Sequence, residues 1–246
     1  MSRPVFLAEG LLDGGAGDRL VLGGGEARHA AAVRRVRPGE QVELVDGRGG
    51  RVVCVVASVE RDRVELDVVE RIAEPPPVPR LVLVQALAKG DRGELAVELA
   101  TEVGVDEVVP WAAERCVVRW DGARAEKGLD RWRSTAREAA KQSRRAWLPQ
   151  VAPVATTAAV AERVAGAALA LVLHESATDR LAEVPLPGSG EVVLVVGPEG
   201  GLSDRELALL GDAGGRPVRL GRTVLRTSTA GAVAAAVVSA RTPRWR

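Results

Sequence analysis

Apolar positions are arranged differently in the two parts of this chain. Up to about residue 74 they form short β-branched runs at 19–22, Gln41–Val45, 51–59 and 63–69, separated by Gly/Asp turns at hairpin spacing. The pattern predicts a small β-rich domain. One stretch departs from it: EARHAAAVRRV, residues 26–36, reads as a helix that ends before Arg37-Pro38-Gly39. Then comes Glu74-Pro75-Pro76-Pro77-Val78-Pro79, and proline at this density favours an extended, semi-rigid spacer. The reading therefore divides the chain into a domain at 1–74, a linker at 75–80 and a domain at 81–246.

After the linker, strand and helix patterns alternate, which is the signature of an α/β domain with a mostly parallel sheet. A strand at 81–86 leads through Ala88-Lys89-Gly90-Asp91-Arg92 into a helix to about Val103, with Gly104 suited to the C′ position. A short strand follows at 107–110 and a helix at 131–145. Leu169–Leu173 reads as a strand ending at His174-Glu175-Ser176. The apolar run 192–196 breaks at Gly197-Pro198-Glu199-Gly200-Gly201, and Ser203 with Glu206 fits a capping box that opens the next helix. A last unit repeats the design: a run at 217–220, a break at Gly221, the turn Leu225-Arg226-Thr227-Ser228-Thr229, and an Ala/Val-rich helix from about Ala230. The small side chains of that helix predict a tight core or a contact with a second copy of the chain.

Ligands of open α/β sheets bind outside the carboxyl ends of the strands, so the three strand-end loops are the candidate site. None is a Walker A loop or a GxGxxG turn, which argues against a phosphate-gripping nucleotide site. Glycines that leave backbone groups bare suit a ligand held through main-chain atoms. The alternative is that such loops are plain connections.

Charge sharpens the picture. The net charge of +1 conceals a net −2 over residues 1–74, +5 over 114–150 and +7 over 216–246. Basic clusters in an otherwise balanced protein suit a polyanion. Arg133, Arg137, Lys141 and Arg144 recur at helical spacing as one basic stripe, opposite a face of Trp132, Ala136, Ala139, Ala140 and Ser143. Arg28, Arg34, Arg35 and Arg37 form a basic cluster at the N-terminal helix, equally readable as a solvated face; His29 beside them is assigned a structural or generic surface role rather than a catalytic one. With five Trp, one Phe and no Tyr, a multi-aromatic stacking platform is excluded, so any RNA contact should rest on arginine and phosphate. Cys54 and Cys116 show no CxxC or His cluster, arguing against zinc and for a reducing compartment. No apolar run reaches the roughly 18–20 residues of a membrane span, and Glu9 and Asp13 interrupt any N-terminal apolar core. The expectation is a cytoplasmic protein without a metal.

Five stretches together resemble a known family: RHAAAVRRVRPGE (28–40), LAKGDRGELAVELATEVGVDEVVPWAAERCVV (87–118), RWRSTAREAAKQSRR (131–145), VVGPEGGLSDRE (195–206) and LGRTVLRTSTA (220–230). In order and spacing they resemble the 16S ribosomal RNA (uracil-N3)-methyltransferase family, within the trefoil-knotted SPOUT superfamily. The resemblance implies a PUA-like N-terminal β-barrel that helps to bind RNA. It also implies a knotted C-terminal α/β domain that binds S-adenosylmethionine and forms a homodimer. The cofactor would lie among Leu173, His174 and Glu175; Gly197, Pro198, Glu199, Gly200 and Gly201; and Leu220, Gly221, Leu225, Arg226, Thr227, Ser228, Thr229 and Ala230. One position departs from the family, whose third loop often carries glutamate where Ser228 stands; its hydroxyl is expected to cap the helix instead.

Methylation of uridine N3 removes a proton and leaves negative charge on the ring oxygens. Arg226 is the expected cation for that charge, and Glu199 an orienting group, base or loop anchor. Lys89 and Arg92 are expected on RNA phosphates, with Arg28, Arg34, Arg35, Arg133, Arg137, Lys141 and Arg144 extending the contact to 16S rRNA in the small ribosomal subunit. Two other readings stay open: a non-catalytic RNA-binding or ribosome-assembly factor, and a small-molecule α/β enzyme.

Overall fold

A computed structural model describes residues 3–8 and 15–245. Glu9 and Asp13 lie outside the described residues. The chain divides into two compact units, one comprising the residues up to Pro76 together with 140–148, the other comprising 77–139 and the residues from Pro149 on.

The first unit contains β1 (Val5–Leu7), β2 (Arg19–Gly23), a one-turn helix α1 (Gly24–Arg28), β3 (Gln41–Val45), β4 (Gly50–Val59) and β5 (Arg63–Ala73). They form a five-stranded sheet in the order β1-β3-β4-β5-β2, antiparallel except for β1 against β3. Alternate residues of β4 and β5 (Val52, Cys54 and Val56; Val64, Leu66 and Val68) face one core with Phe6 and Leu44. Register shifts at Val53/Cys54 and Val56/Ser58 curl the sheet around it. The helix expected at 26–36 is split: α1 gives way at His29–Arg34 to a π-type turn, closed by Arg35 in the left-handed region at φ 52°. His29 packs edge-on to Phe6 with ring centroids 6.1 Å apart.

The second unit follows the alternation expected from the pattern: β6 (Arg80–Ala86), α2 (Arg92–Val103), β7 (Glu107–Trp111), α3 (Ala123–Gln142), β8 (Gln150–Val151), α4 (Thr157–Gly166), β9 (Leu169–Leu173), β10 (Glu191–Val196), α5 (Asp204–Asp212), β11 (Arg216–Val218) and α6 (Thr227–Ala240). The sheet order is β11-β9-β10-β6-β7-β8, and every pairing is parallel. The central strands are buried over all but their first residues, Arg80 and Glu191, which explains their unbroken apolar runs. Gly104 closes α2 at φ 106° as its sequence position predicts. Ser203 and Glu206 form the capping box of α5. The small residues of α6 serve the core. A Cβ on Gly231 would stand 2.8 Å from Leu83 Cδ1, so glycine lets the helix settle onto β6.

At the amino ends of the strands the chain is tied by ion pairs. Arg163 bridges Glu107 at 2.7 Å and Glu191 at 2.9 Å, and Arg80 bonds Glu107 at 2.6 Å. Arg244, almost fully buried, pairs with Asp106 at 2.6 Å, donates to Pro79 O at 2.7 Å and also bonds Gly104 O. The carboxyl ends are left for the site.

Candidate functional site

Because all six strands run the same way, the loops that leave their carboxyl ends share one rim. The segments after β9, β10 and β11 line a single cleft of about 810 Å³. Of the predicted cofactor contacts, Leu173, His174, Glu175, Gly197, Pro198, Glu199, Gly200, Gly201, Leu220, Gly221, Leu225, Arg226, Thr227 and Ala230 all line it. Ser228 and Thr229 do not. Ser228 is buried in the second position of α6, and no side chain caps that helix, so the expected cap by Ser228 is absent. Thr229 donates its hydroxyl hydrogen to Arg226 O at 3.1 Å.

The glycine loop is fixed from three sides. Thr227 Oγ1 donates to Gly197 O at 2.8 Å and accepts from Gln85 Nε2 at 2.9 Å, joining α6, β10 and β6 at one buried point. Arg115 Nη1 donates to Gly200 O at 3.2 Å. Glu199 Oε1 accepts from Arg92 Nη1 at 3.0 Å and from the Lys89 amide at 3.3 Å. A Cβ on Gly197 would meet Leu202 Cδ2 at 2.9 Å, and one on Gly200 would meet Arg115 Cβ at 3.2 Å. The glycines therefore bring the loop into close contact with Leu202 and Arg115 as well as leaving its backbone bare.

Beneath the loop, Glu206 is buried, and its carboxylate accepts from Glu114 N at 2.8 Å, Ser203 N at 3.0 Å and Thr157 Oγ1 at 3.3 Å. One side chain thus aligns the loop after β7, which carries Arg115, with the loop after β10. Partial burial works to raise the pKa of Glu199. Hydrogen bonds from its own backbone amide, from Arg92 and from the Lys89 amide outweigh this, and the pKa falls below the usual carboxylate value. It is a firmly ionised group. Arg226, at the N-cap of α6, is exposed on the cleft wall and forms no side-chain bond with a described residue. Its neighbours leave its charge available.

The sequence missed Gln85, Arg115 and the reach of Glu206. Arg115 follows β7, so it obeys the same strand-end rule that marked the other three loops, had that short strand been followed outward. Gln85, a lone amide inside the run LVLVQAL, was the other available signal.

The basic residues expected on RNA are less uniform. Arg28, Arg34 and Arg35 are exposed in the first unit, and Lys89, Arg133, Arg137 and Arg144 are also exposed. Arg92 is engaged with Glu199, and Arg133 pairs with Asp130 at 3.2 Å. Lys141 departs from the expected stripe. Its ammonium is buried and bonded to Glu26 at 2.8 Å, because from residue 140 to 148 the chain belongs to the first unit, which also holds Glu26. Arg144 lies beyond the helix end at φ 58°. The stripe is therefore two residues long on the helix itself. Among the described residues no group of three His, Cys, Asp or Glu side chains could hold a metal ion, and no helix is long and apolar enough to cross a membrane.

Comparison with known proteins bears on this cleft directly. The model of an RNA methyltransferase domain matches residues 74–239, and that of an RNA methyltransferase PUA domain matches 22–69. The chain is 51% identical to the ribosomal RNA small subunit methyltransferase E of Mycobacterium bovis, over 98% of this chain and 93% of that protein. The chain belongs to this methyltransferase E family. The Bacillus subtilis methyltransferase E is 31% identical over 91% of this chain and 90% of its own length. A crystal structure of a methyltransferase E from Neisseria gonorrhoeae, bound to S-adenosyl methionine, superposes with a TM-score of 0.86 at 29% identity, covering 98% of both chains. Membership of the methyltransferase E family accounts for both the curled N-terminal sheet and the parallel sheet that carries the cleft.

Proposed function

We propose that this protein uses S-adenosylmethionine to methylate N3 of a uridine in the 16S rRNA of the small ribosomal subunit. The observation that carries the reading is the convergence of three strand-end loops on one cleft, with Arg226, whose side chain bonds to no described residue, on its wall. The glycine loop, Leu173–Glu175 and Leu220–Gly221 would hold the cofactor through main-chain groups, and the cleft volume suits a ligand of that size. Bound there, it supplies an electrophilic methyl group on a sulfonium centre. The Neisseria relative, crystallised with that cofactor, supports the assignment.

The chain's own part is to orient the base and stabilise charge. As N3 loses its proton to solvent, negative charge spreads onto the flanking carbonyl oxygens, and Arg226 meets it there. Glu199 acts as an anchor: its lowered pKa suits a permanent carboxylate that fixes the loop rather than a proton acceptor. The Lys89 side chain, exposed and bonded to no described residue, suits a phosphate, and the first unit adds RNA contacts through Arg28, Arg34 and Arg35 on α1 and the turn that follows it. The same reading includes the trefoil threading, a cytoplasmic location, an assembled small subunit as substrate and a homodimer. Exposed Leu95 on α2 and Val233 on α6 support the last of these, and light scattering tests it.

Arg226→Ala is expected to bind S-adenosylmethionine normally by calorimetry and to lose about 10²- to 10³-fold in the rate of rRNA methylation, the scale of one lost charge-stabilising donor. Wild-type turnover in that variant would remove Arg226 from the mechanism. Absence of any calorimetric heat from the wild type would favour a non-catalytic RNA-binding factor.

A further inference from the structure

Next to the cleft lies a second cavity, of about 440 Å³, walled by Ala88, Gly90, Gly93, Val118, Trp120 and Trp132 and edged by Asp91, Glu94 and Arg131. Two of the five tryptophans meet here edge to face, with ring centroids 5.1 Å apart. Two glycines make room for them. A Cβ on Gly128 would fall 2.6 Å from the Trp120 ring, and one on Gly93 would fall 3.0 Å from the Trp132 ring. Glycine inside a helix costs roughly 1 kcal/mol relative to alanine, so this seating of the indoles is maintained against helix propensity. Trp132 is almost fully buried, yet its indole N–H finds no acceptor among the described residues. Trp120 is only partly covered.

Adjoining it is a hollow of about 420 Å³ that shares Val118, Trp120 and Arg131 with the cavity and adds Val117, Arg119, Arg124 and Lys127. Arg131 is paired with Glu94 at 3.0 Å, whereas Arg124 and Lys127 are exposed and make no side-chain bond with a described residue. An aromatic, mostly apolar seat thus adjoins a cationic one, which is the arrangement that a nucleotide presents in reverse. A base has a π-face for Trp120, and a phosphate suits Arg124 and Lys127. Gly90 and Asp91 of the cavity lie between Lys89 and Arg92, so the seat is one turn of chain from the methyl-transfer cleft.

Resting on the rRNA methyltransferase reading above, we propose that this double cavity seats a nucleotide flanking the methylated uridine, with its base against Trp120 and its phosphate on Arg124 and Lys127. It is a single stacking position, compatible with a chain too poor in aromatics for a platform.

The test uses the full-length protein and small ribosomal subunits from cells lacking the enzyme. Trp120→Ala is expected to raise KM for the subunits about tenfold, the scale of one lost base stack. It should leave kcat within twofold and S-adenosylmethionine affinity unchanged, and Trp120→Phe should restore most of the loss. Arg124→Ala/Lys127→Ala, a surface change that spares the fold, is expected to raise KM as well. RNA carrying 5-iodouridine beside the target should cross-link to Trp120. An unchanged KM in Trp120→Ala, or in the double variant should Trp120→Ala fail to fold, overturns the proposal. So does a Trp120→Ala protein whose oligomeric mass falls in light scattering, because a second copy of the chain would then be what covers the cavity. If wild-type protein fails to methylate the subunits in the same assay, it is the underlying reading that fails.

Discussion

Glu199 and Lys141 show how charged side chains are given different work by their neighbours. Glu199 is a carboxylate whose partners, Arg92 and the Lys89 amide, hold its pKa below the ordinary 4.5. The sign follows from linkage: a depressed carboxylate contributes its full effect above the unfolded value and loses it as pH falls through the folded one. The stability difference between wild type and Glu199→Gln, read from urea unfolding, should therefore be constant from neutral pH down to about 5 and shrink in more acid solution. A difference that stays constant through the acid range would assign the effect to something other than the charge of this carboxylate. The thiols behave in the opposite sense. Burial pushes Cys54 up to about 11, and burial likewise raises Cys116. Both should resist iodoacetamide at pH 8 in the native protein and react once it is unfolded, as mass spectrometry would record; rapid native labelling would place a thiol at the surface. Lys141 marks the limit of reading residues singly. Its spacing from Arg133 and Arg137 does keep it on their side of the helix, but from residue 140 on the chain belongs to the first unit, and there Glu26 takes up its charge.

At the scale of elements, the strand–loop–helix repeats were legible because two physical signals coincide. Doubly buried parallel strands must be continuous apolar runs, and glycine must follow where the backbone turns sharply. Both signals meet at the loop after β10; the loop after β9 shows the apolar run without a glycine, and the one after β11 shows the glycine behind a short, mostly exposed strand. What joins the loops leaves no such signal, since Thr227, Gln85 and Gly197 are distant in sequence and their hydrogen bonds depend on strand order. That join is testable. Thr227→Val keeps the shape and removes the hydroxyl, leaving Gly197 O without its donor and Gln85 Nε2 without an acceptor it now has. Each buried group so stranded costs about 1–3 kcal/mol. A loss of about 2 kcal/mol in urea unfolding and a weakened cofactor affinity are expected; a variant as stable as wild type would mean that the loop is held mainly by Arg92 and Arg115. The N-terminal helix shows the opposite failure. Its composition favours helix throughout 26–36, but the π-type turn after α1 and left-handed Arg35 re-aim the chain in a way that propensity does not encode. The trefoil threading belongs to the same class: it leaves no trace in periodicity, and the expectation of it rests on family resemblance alone.

For the whole molecule, the charge map drawn from sequence overstates what an RNA would meet. Of the basic residues in 216–246, Arg216 is paired with Asp179 at 2.6 Å and Arg244 with Asp106. Arg241 is occupied by the carbonyls of Leu181 and Val184, both at 2.9 Å. Within 114–150, Arg115, Arg131, Arg133 and Lys141 are similarly engaged. Arg124, Lys127, Arg219, Arg222 and Arg226 make no side-chain bond with a described residue, and all but the half-buried Arg219 are exposed. Counterion release counts only cations that reach a phosphate, at a slope of about 0.7 in log K against log salt for each contact with single-stranded RNA. Arg124→Ala and Lys127→Ala should therefore each flatten the salt dependence of RNA binding by about that amount. Arg216→Ala, which removes the same formal charge, should leave the slope unchanged, since its partner Asp179 is released along with it. Arg244→Ala should act on thermal stability instead, because Asp106 and two carbonyls lose their buried donor. Filter binding from about 50 to 300 mM salt separates these cases. Equal flattening by Arg216→Ala and Arg124→Ala would mean that the RNA responds to the summed field of the protein rather than to a defined set of contacts, and the nucleotide seat beside Trp120 would lose its cationic half.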